Sequence, residues 1–130
     1  MRKYAKIEEL TQGEHKQVTL IYGEKNDREF EREILAALQG VPYARHNYRY
    51  AVKEGDQGLS SLLANGKDNL LIVLSDSGLE VDRILAAIAS ANTNLVARGK
   101  TPPRFTIVGN SRWNRFGNLD RALYFKDRLV

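Results

Sequence analysis

The chain has 130 residues, of which 42% are hydrophobic and 28% are charged, and this size and composition indicate one globular domain with a single core. It contains no cysteine, which excludes disulfides, thiolate catalysis and cysteine-based metal sites. The net charge of +4 comes from basic and acidic residues mixed along the chain, which does not indicate a nucleic-acid-binding face, and no apolar run approaches the ~18 residues that would span a membrane.

The first third of the chain predicts a helix, a strand and a second helix. Residues 3–11 place apolar side chains on one helical face, and residues 18–22 form an apolar and β-branched run. Asn26 followed by Glu29 is a capping-box pattern, which predicts a helix that begins there and extends to Gln39. This succession of strand and helix is typical of an α/β fold.

The middle of the chain contains the clearest strand. Residues 43–52 alternate with period two and are rich in tyrosine, which predicts a strand nearer the sheet edge than its neighbours. Residues 59–64 predict a short helix. Residues 69–75 include a continuous apolar run, which is typical of a strand buried on both faces and therefore central in a parallel sheet.

An amphipathic helix follows the central strand, from Leu79 to about Ala91. The side chains predicted to face the core are Leu79, Ile84, Leu85 and Ile88, with Val81 at the margin of the buried face. The last quarter of the chain predicts a polar connection at 92–103, a fourth strand at 105–108, a short helical or irregular segment at 113–121 and an apolar piece at 123–125.

The element order β-α-β-α-β-α-β predicts a three-layer αβα sandwich with a mainly parallel, Rossmann-like sheet and right-handed crossovers. No linker or repeat divides the chain, so residues 1–130 are predicted to be a single α/β domain. In open α/β sheets, ligands bind outside the carboxyl ends of the strands. This edge is therefore the predicted place of a site.

Polar residues follow three of the predicted strands and are expected to meet at that edge. They are Asn26 and Asp27 after the first strand, Ser75 and Ser77 after the central strand, and Asn110, Ser111, Arg112 and Trp113 after the fourth. We expect hydrogen bonds from the polar groups, an anionic partner for Arg112 and an apolar or sugar face against Trp113. Helix capping by Asp76 or Ser77, and a core position for Trp113, remain open alternatives.

Enzymatic and cofactor motifs are missing from the sequence. A dinucleotide fingerprint needs three glycines after the first strand, and only Gly23 is present. A receiver-like acidic pocket could be imitated by Glu24, Asp27 and Asp76, but the lysine expected after a later strand is absent. His15 and His46 have no partners at metal-ligand or triad spacing. We therefore predict no catalytic residue, no metal and no cofactor.

Four blocks between residues 15 and 115 resemble one lobe of the type I periplasmic-binding-protein family, which includes branched-chain amino-acid receptors. They are 18–30, 55–63, 69–85 and 105–113, in the order and spacing of the family's strands and helices. In addition, Trp113-Asn114-Arg115-Phe116 with Asn118-Leu119-Asp120 resembles binding-protein-like domains of bacterial envelope proteins that also carry peptidoglycan-binding LysM modules.

This resemblance implies a non-enzymatic ligand-binding or interaction lobe of a periplasmic or cell-envelope protein, excised from a longer chain. Its partner would be a small molecule or an envelope protein, with peptidoglycan contacted only through modules outside this chain, and without nucleic acid or membrane insertion. The turns that hold two aromatics and an acid in the amino-acid receptors contain Asn26, Ser77 and Asn110 here, which leaves the ligand class open. Two other hypotheses are an envelope scaffolding module without a small ligand, and a cytoplasmic flavodoxin-like or receiver-like regulatory domain. The cytoplasmic hypothesis fits an N-terminus that lacks a signal peptide.

Overall fold

The computed structural model describes residues 3–4, 16–52, 58–63, 68–100, 105–110 and 122–125. The strands in these ranges are β1 (Lys3–Tyr4), β2 (Lys16–Tyr22), β3 (Ala44–Asn47), β4 (Asp68–Val73), β5 (Phe105–Asn110) and β6 (Ala122–Phe125). The helices are α1 (Arg28–Ala37), α2 (Tyr48–Ala51), α3 (Leu59–Leu63) and α4 (Gly78–Ala97). Within the described ranges, no helix has the length and apolar character needed to cross a membrane.

The described strands form one sheet with the order β1-β6-β5-β4-β2-β3, and every neighbouring pair is parallel. β4 lies inside the sheet, with Leu70 opposite Val18 of β2 and Leu71 opposite Ile107 of β5. The predicted α/β fold with a parallel sheet is confirmed, and so is the central position of the strand predicted at 69–75. β3 lies at a sheet edge, as the alternating tyrosine-rich segment predicted.

Side chains of β4 alternate between the two faces of the sheet and fill two separate cores. Leu71 and Val73 belong to a core that includes buried residues of α2, α3 and α4. Leu70 and Ile72 belong to a second core. Phe30 and Ile34 of α1, and Leu38 just after it, cover this core. Helices therefore cover both faces, which makes three layers and explains why the sequence of β4 is apolar without interruption.

The structure corrects the helix predicted at the N-terminus. Lys3 and Tyr4 form β1, which pairs in parallel with Leu123 and Tyr124 of β6. β6 needs a partner on its outer side, and strand pairing satisfies its backbone groups in a way that a helix would not. The rest of the predicted helix, residues 5–11, lies outside the described residues.

Helix α1 begins one residue later than its capping-box pattern predicts. Its N-cap is Asp27, whose carboxylate accepts a hydrogen bond from the Phe30 amide at 3.1 Å. Asn26 was the predicted N-cap, but its side chain bonds to the backbone of Gly23 instead. The Asn26 side chain is therefore used to close the turn after β2, and Asp27 replaces it at the helix.

The strand predicted over 43–52 is half strand and half helix. β3 ends at Asn47, whose side chain accepts a hydrogen bond from the Arg49 amide and caps the one-turn helix α2. Tyr48 and Ala51, three residues apart, then face the core together. The period-two pattern did not reveal the change from strand to helix, because aromatic residues are common on the buried faces of both strands and helices.

Helix α4 is longer than predicted and differently rotated. Leu79 was expected in the core but is 62% exposed, whereas Val81, expected at the margin, is fully buried. Val81 and Ile84 belong to the same core as β4, and Leu79 lies on the outer side of the first turn. The same buried stripe continues to Leu95, which converts the first half of the predicted polar connection at 92–103 into helix.

The end of α4 follows a local glycine signal. Gly99 has a φ of 71°, a conformation that is costly for residues with a side chain. Its amide donates to the Val96 carbonyl at 3.0 Å, and the Lys100 amide donates to the Leu95 carbonyl at 2.9 Å. These two bonds are those of a Schellman motif, which satisfies the last carbonyl groups of the helix.

Candidate functional site

The sheet order locates the switch point between β2 and β4. The chain leaves β2 towards β3 on one side and later continues from β4 towards β5 on the other. In parallel sheets the crevice between such strands, at their carboxyl ends, is the usual place for a ligand. Two loops line this place, residues 23–27 after β2 and residues 74–77 after β4. We call this place the switch-point edge.

The two loops are hydrogen-bonded to each other across the switch point. The Asp27 amide donates to the Leu74 carbonyl at 3.1 Å, and the Asp76 amide donates to the Lys25 carbonyl at 2.8 Å. Asn26 and Ser75 also form an isolated antiparallel bridge. These contacts join the two loops beyond the end of the parallel β2–β4 ladder and hold them together.

Glu80 reaches back from the first turn of α4 into this edge. It is only 6% exposed. Its carboxylate accepts the Glu24 amide at 3.2 Å (Oε1) and 3.3 Å (Oε2), and it accepts a hydrogen bond from Ser75 Oγ at 2.7 Å. Ser75 Oγ in turn accepts the Ser77 amide at 3.2 Å. A buried carboxylate thus connects the loop after β2 to the loop after β4.

Gly23 leaves the space that this carboxylate occupies. A Cβ atom at Gly23 would overlap Glu80 Oε1, and it would lie 2.6 Å from Ser75 Oγ and 2.8 Å from Ser75 Cβ. No side chain other than hydrogen therefore fits at this position while Glu80 and Ser75 stay where they are.

The structure brings four of the predicted site residues together at the switch-point edge, and each makes a bond within the protein. Asn26 Oδ1 accepts the Gly23 amide at 2.8 Å, and Ser75 is bonded to Glu80. Asp27 and Ser77 are the N-caps of α1 and α4. Ser77 therefore caps a helix, as the capping alternative predicted, and Asp27 caps another helix in the same way.

The remaining predicted residues follow β5. Asn110 is the last residue of that strand, which lies beside β4, so it belongs to the same carboxyl edge. Ser111, Arg112 and Trp113 lie outside the described residues. The segment predicted at 113–121 lies outside them as well.

Sequence reasoning did not identify Glu80 or the close approach at Gly23. A signal was present, because Ser77 and Glu80 have the spacing of a capping box. That pattern predicts a glutamate that bonds back to the N-cap amide of its own helix. In the structure the carboxylate bonds instead to residues of two loops, which no local pattern indicates.

Charged side chains surround the switch-point edge on the outside. Arg49 Nη2 lies 2.7 Å from Glu24 Oε1, with both side chains exposed. A hydrogen bond with Tyr48 and the charge of Glu24 raise the pKa of Arg49. Lys25 and Asp76 are also exposed. The rim is thus polar and of mixed sign, and its ion pair adds little to stability because water screens it.

A second group of side chains surrounds Tyr22 at the end of β2. The guanidinium of Arg45 lies 5.8 Å from the Tyr22 ring and 5.4 Å from the Tyr43 ring, and its Nη2 donates to Tyr43 Oη at 3.0 Å. Burial, and after it the neighbouring Glu31 carboxylate, raise the pKa of Tyr22 from 10.0 to about 12. The folded chain therefore favours the neutral phenol.

This shift predicts a loss of stability in strong alkali. Between pH 10 and about 12 the unfolded Tyr22 has lost its proton while the folded one retains it, so stability present below pH 10 is lost as the pH rises to about 12. The urea midpoint of the parent chain should fall more steeply over this range than that of Tyr22→Phe. Parallel curves for the two proteins would contradict the expectation.

Comparisons with known proteins assign no family to this chain. A scan against protein-family models, a search of curated proteins and a search of solved structures gave no significant match. Over the residues that the structure describes, no group of three or more histidine, cysteine, aspartate or glutamate side chains is arranged to hold a metal ion. The resemblance to type I periplasmic binding proteins therefore remains a prediction from sequence motifs.

Proposed function

We propose that this chain is a non-enzymatic binding domain, one lobe of a bacterial cell-envelope protein of the periplasmic-binding type, and that the switch-point edge is its binding face. The observation that carries the proposal is the convergence of two ordered polar loops, 23–27 and 74–77, at the carboxyl ends of β2 and β4. This is where open parallel sheets bind ligands, and where such lobes close on a ligand by hinge motion.

The internal hydrogen bonds of the two loops support a binding role over a catalytic one. The side chains that would be nucleophile or base candidates here are Ser75, Ser77, Asp27 and Glu80. Ser75 is 2% exposed and donates to Glu80, and the other serine and the aspartate cap helices. Groups used in this way position a loop, and a catalytic role would require them to leave those bonds.

The cell-envelope assignment rests on the sequence resemblance. The blocks that resemble the periplasmic-binding family cover β2 with the start of α1, then α3, then β4 with the first part of α4, and then β5. Five neighbouring strands have the spatial order β3-β2-β4-β5-β6, with the switch point between β2 and β4. This order is compatible with such a lobe. The same order occurs in flavodoxin-like domains, so the regulatory alternative is decided by ligand chemistry.

The scaffolding alternative predicts an exposed apolar patch where a partner docks. In the described part of the surface, the large exposed apolar side chains are Leu79 and Val96. They stand near opposite ends of α4, about 25 Å apart along the helix axis, so they do not form one patch. No described feature favours this alternative over small-ligand binding.

Titration of the isotope-labelled chain by NMR tests the proposal. The probes are L-leucine, for the amino-acid receptors that the chain resembles, and muramyl dipeptide, for a peptidoglycan fragment. We expect one of them to shift the amides of residues 23–27 and 74–77 saturably, with weak affinity because a single lobe is present. Amides of Val96–Lys100, at the other end of α4, are the internal control and should not move.

Two results would overturn the proposal. One is the absence of saturable shifts at the switch-point edge with both probes. The other is chemical conversion of a probe during the titration, which the same spectra record. Saturable binding of flavin mononucleotide or acetyl phosphate at this edge would favour the regulatory alternative.

A further inference from the structure

We infer that the switch-point edge contains a binding site for one carboxylate-sized oxyanion, and that the side chain of Glu80 is its built-in occupant. The inference deepens the proposed function, on which it rests for its biological use, because it decides which ligands this edge accepts. Its physical content, an internal anion in a closed site, is tested without any knowledge of the ligand.

The donors of this site come from outside the helix that carries the carboxylate. The Glu24 amide lies 56 residues away in sequence and points at both carboxylate oxygens, at 3.2 and 3.3 Å. Ser75 Oγ donates at 2.7 Å. Hydrogen bonds to an ionised acceptor are about twice as strong as neutral ones, so the two donors favour a carboxylate here, with the bond from Ser75 as the shorter.

The shape of the site matches its occupant. Gly23 forms the floor, where a Cβ atom would overlap Glu80 Oε1. Ser75 and Glu80 are 2% and 6% exposed, so the hydrogen bond between them is shielded from bulk water. Here the Glu24 N–H and the Ser75 O–H replace the water molecules that would otherwise stabilise the carboxylate.

The local alternative of Glu80 is left unused. In a capping box, this glutamate would accept the amide of the N-cap residue, Ser77. Here the Ser77 amide donates to Ser75 Oγ at 3.2 Å, and the carboxylate extends into the loops. The Glu80 carboxylate thus accepts hydrogen bonds from donors in the two loops and not from the N-cap amide of its own helix.

The consequence is a rule for ligands at this edge. A phosphate or carboxylate that approaches from outside meets the charge of Glu80 in the place that its own oxygens would need. The phosphate of a ligand such as flavin mononucleotide is therefore excluded from this position. L-leucine or muramyl dipeptide can bind at this edge with ammonium, hydroxyl or amide groups towards Glu80 and their own carboxylates directed away from it. This separates the binding lobe from a flavodoxin-like domain, whose cofactor phosphate would compete directly with Glu80.

Chemical rescue of Glu80→Ala tests the site. Thermal unfolding of the variant is followed at pH 7 in rising sodium formate or acetate, with sodium chloride at equal ionic strength as the reference. We expect a lower melting temperature that the carboxylates raise with the logarithm of their concentration, by about 5 °C for each tenfold increase above the dissociation constant. The parent chain, with the site filled, should respond to formate as it responds to chloride.

Ser77→Ala is the matched control, because it weakens the same turn of α4 without emptying the site. Its melting temperature should fall and should not be restored by formate or acetate. A Glu80→Ala protein that responds equally to formate and chloride would overturn the inference, and so would equal rescue of Ser77→Ala. Neither result would alter the outcome of the NMR titration, so the two proposals fail separately.

Hydrogen exchange in the parent chain is a second measurement, which does not require a folded variant. Glu24 is an exposed loop residue, yet its amide should exchange slowly because Glu80 accepts its hydrogen. Exchange of the Glu24 amide at the rate of an unprotected peptide would overturn the inference.

Discussion

Gly23→Ala is expected to lower the free energy of unfolding by about 3 kcal/mol, a large part of the stability of a domain of this size. The added Cβ would overlap Glu80 Oε1 and crowd Ser75, and both of these side chains are buried. The strand ends and the loops must therefore separate, or the Glu80 carboxylate must leave its donors. Urea unfolding of the two proteins measures the difference.

Gly40→Ala is the control for Gly23→Ala, since Gly40 has a φ of 82° and open space around its Cβ position. Its cost is backbone strain alone, about 1 kcal/mol. Combining Gly23→Ala with Glu80→Ala should give less than the sum of the single effects, because the overlap is partly relieved. Equal losses at the two glycines, or strict additivity with Glu80→Ala, would show that the carboxylate does not occupy this space.

Phe30→Ala is expected to destabilise the chain by about 4 kcal/mol. Phe30 is fully buried, and among the residues that the structure describes it is the largest fully buried side chain. It closes the core between α1 and the sheet, in contact with the apolar cluster that includes Leu70 and Ile72 of β4. Its loss leaves a cavity between α1 and the sheet. Chemical denaturation with an unchanged slope would report the loss directly.

Leu79→Ala provides the contrast for Phe30→Ala. The amphipathic pattern predicted Leu79 in the core, whereas the structure exposes 62% of it. Its replacement should change the free energy of unfolding by no more than about 0.5 kcal/mol. A loss at Leu79 that approaches the loss at Phe30 would mean that α4 is rotated relative to the structure described above.

The inferred role of Glu80 changes how the switch-point edge should be probed. Asn26, Asp27, Ser75 and Ser77 all make internal bonds there, so replacing any of them alters the loops as well as a ligand contact. Loss of binding in such variants is therefore not evidence of direct contact. Rescue by carboxylates and amide shifts in the parent chain avoid this ambiguity.

The fold class follows from the sequence, and so does the prediction that polar residues meet at one edge of the sheet. The uninterrupted apolar run in residues 69–75 required cover on both faces, and that requirement places β4 inside a parallel sheet. Polar residues after β2 and β4 then had to meet at the carboxyl edge, because parallel strands end on the same side. These conclusions depend on burial and periodicity, which are local properties of the chain.

The rotation of α4 and the partners of Glu80, by contrast, depend on contacts between distant parts of the chain. Packing against the sheet buries Val81 and leaves Leu79 exposed, although both are apolar. The donors of the Glu80 carboxylate include the Glu24 amide, 56 residues away, above a glycine whose missing side chain provides the space. Hydrophobic patterning carries no information about such contacts, because they depend on where distant loops come together once the sheet has formed.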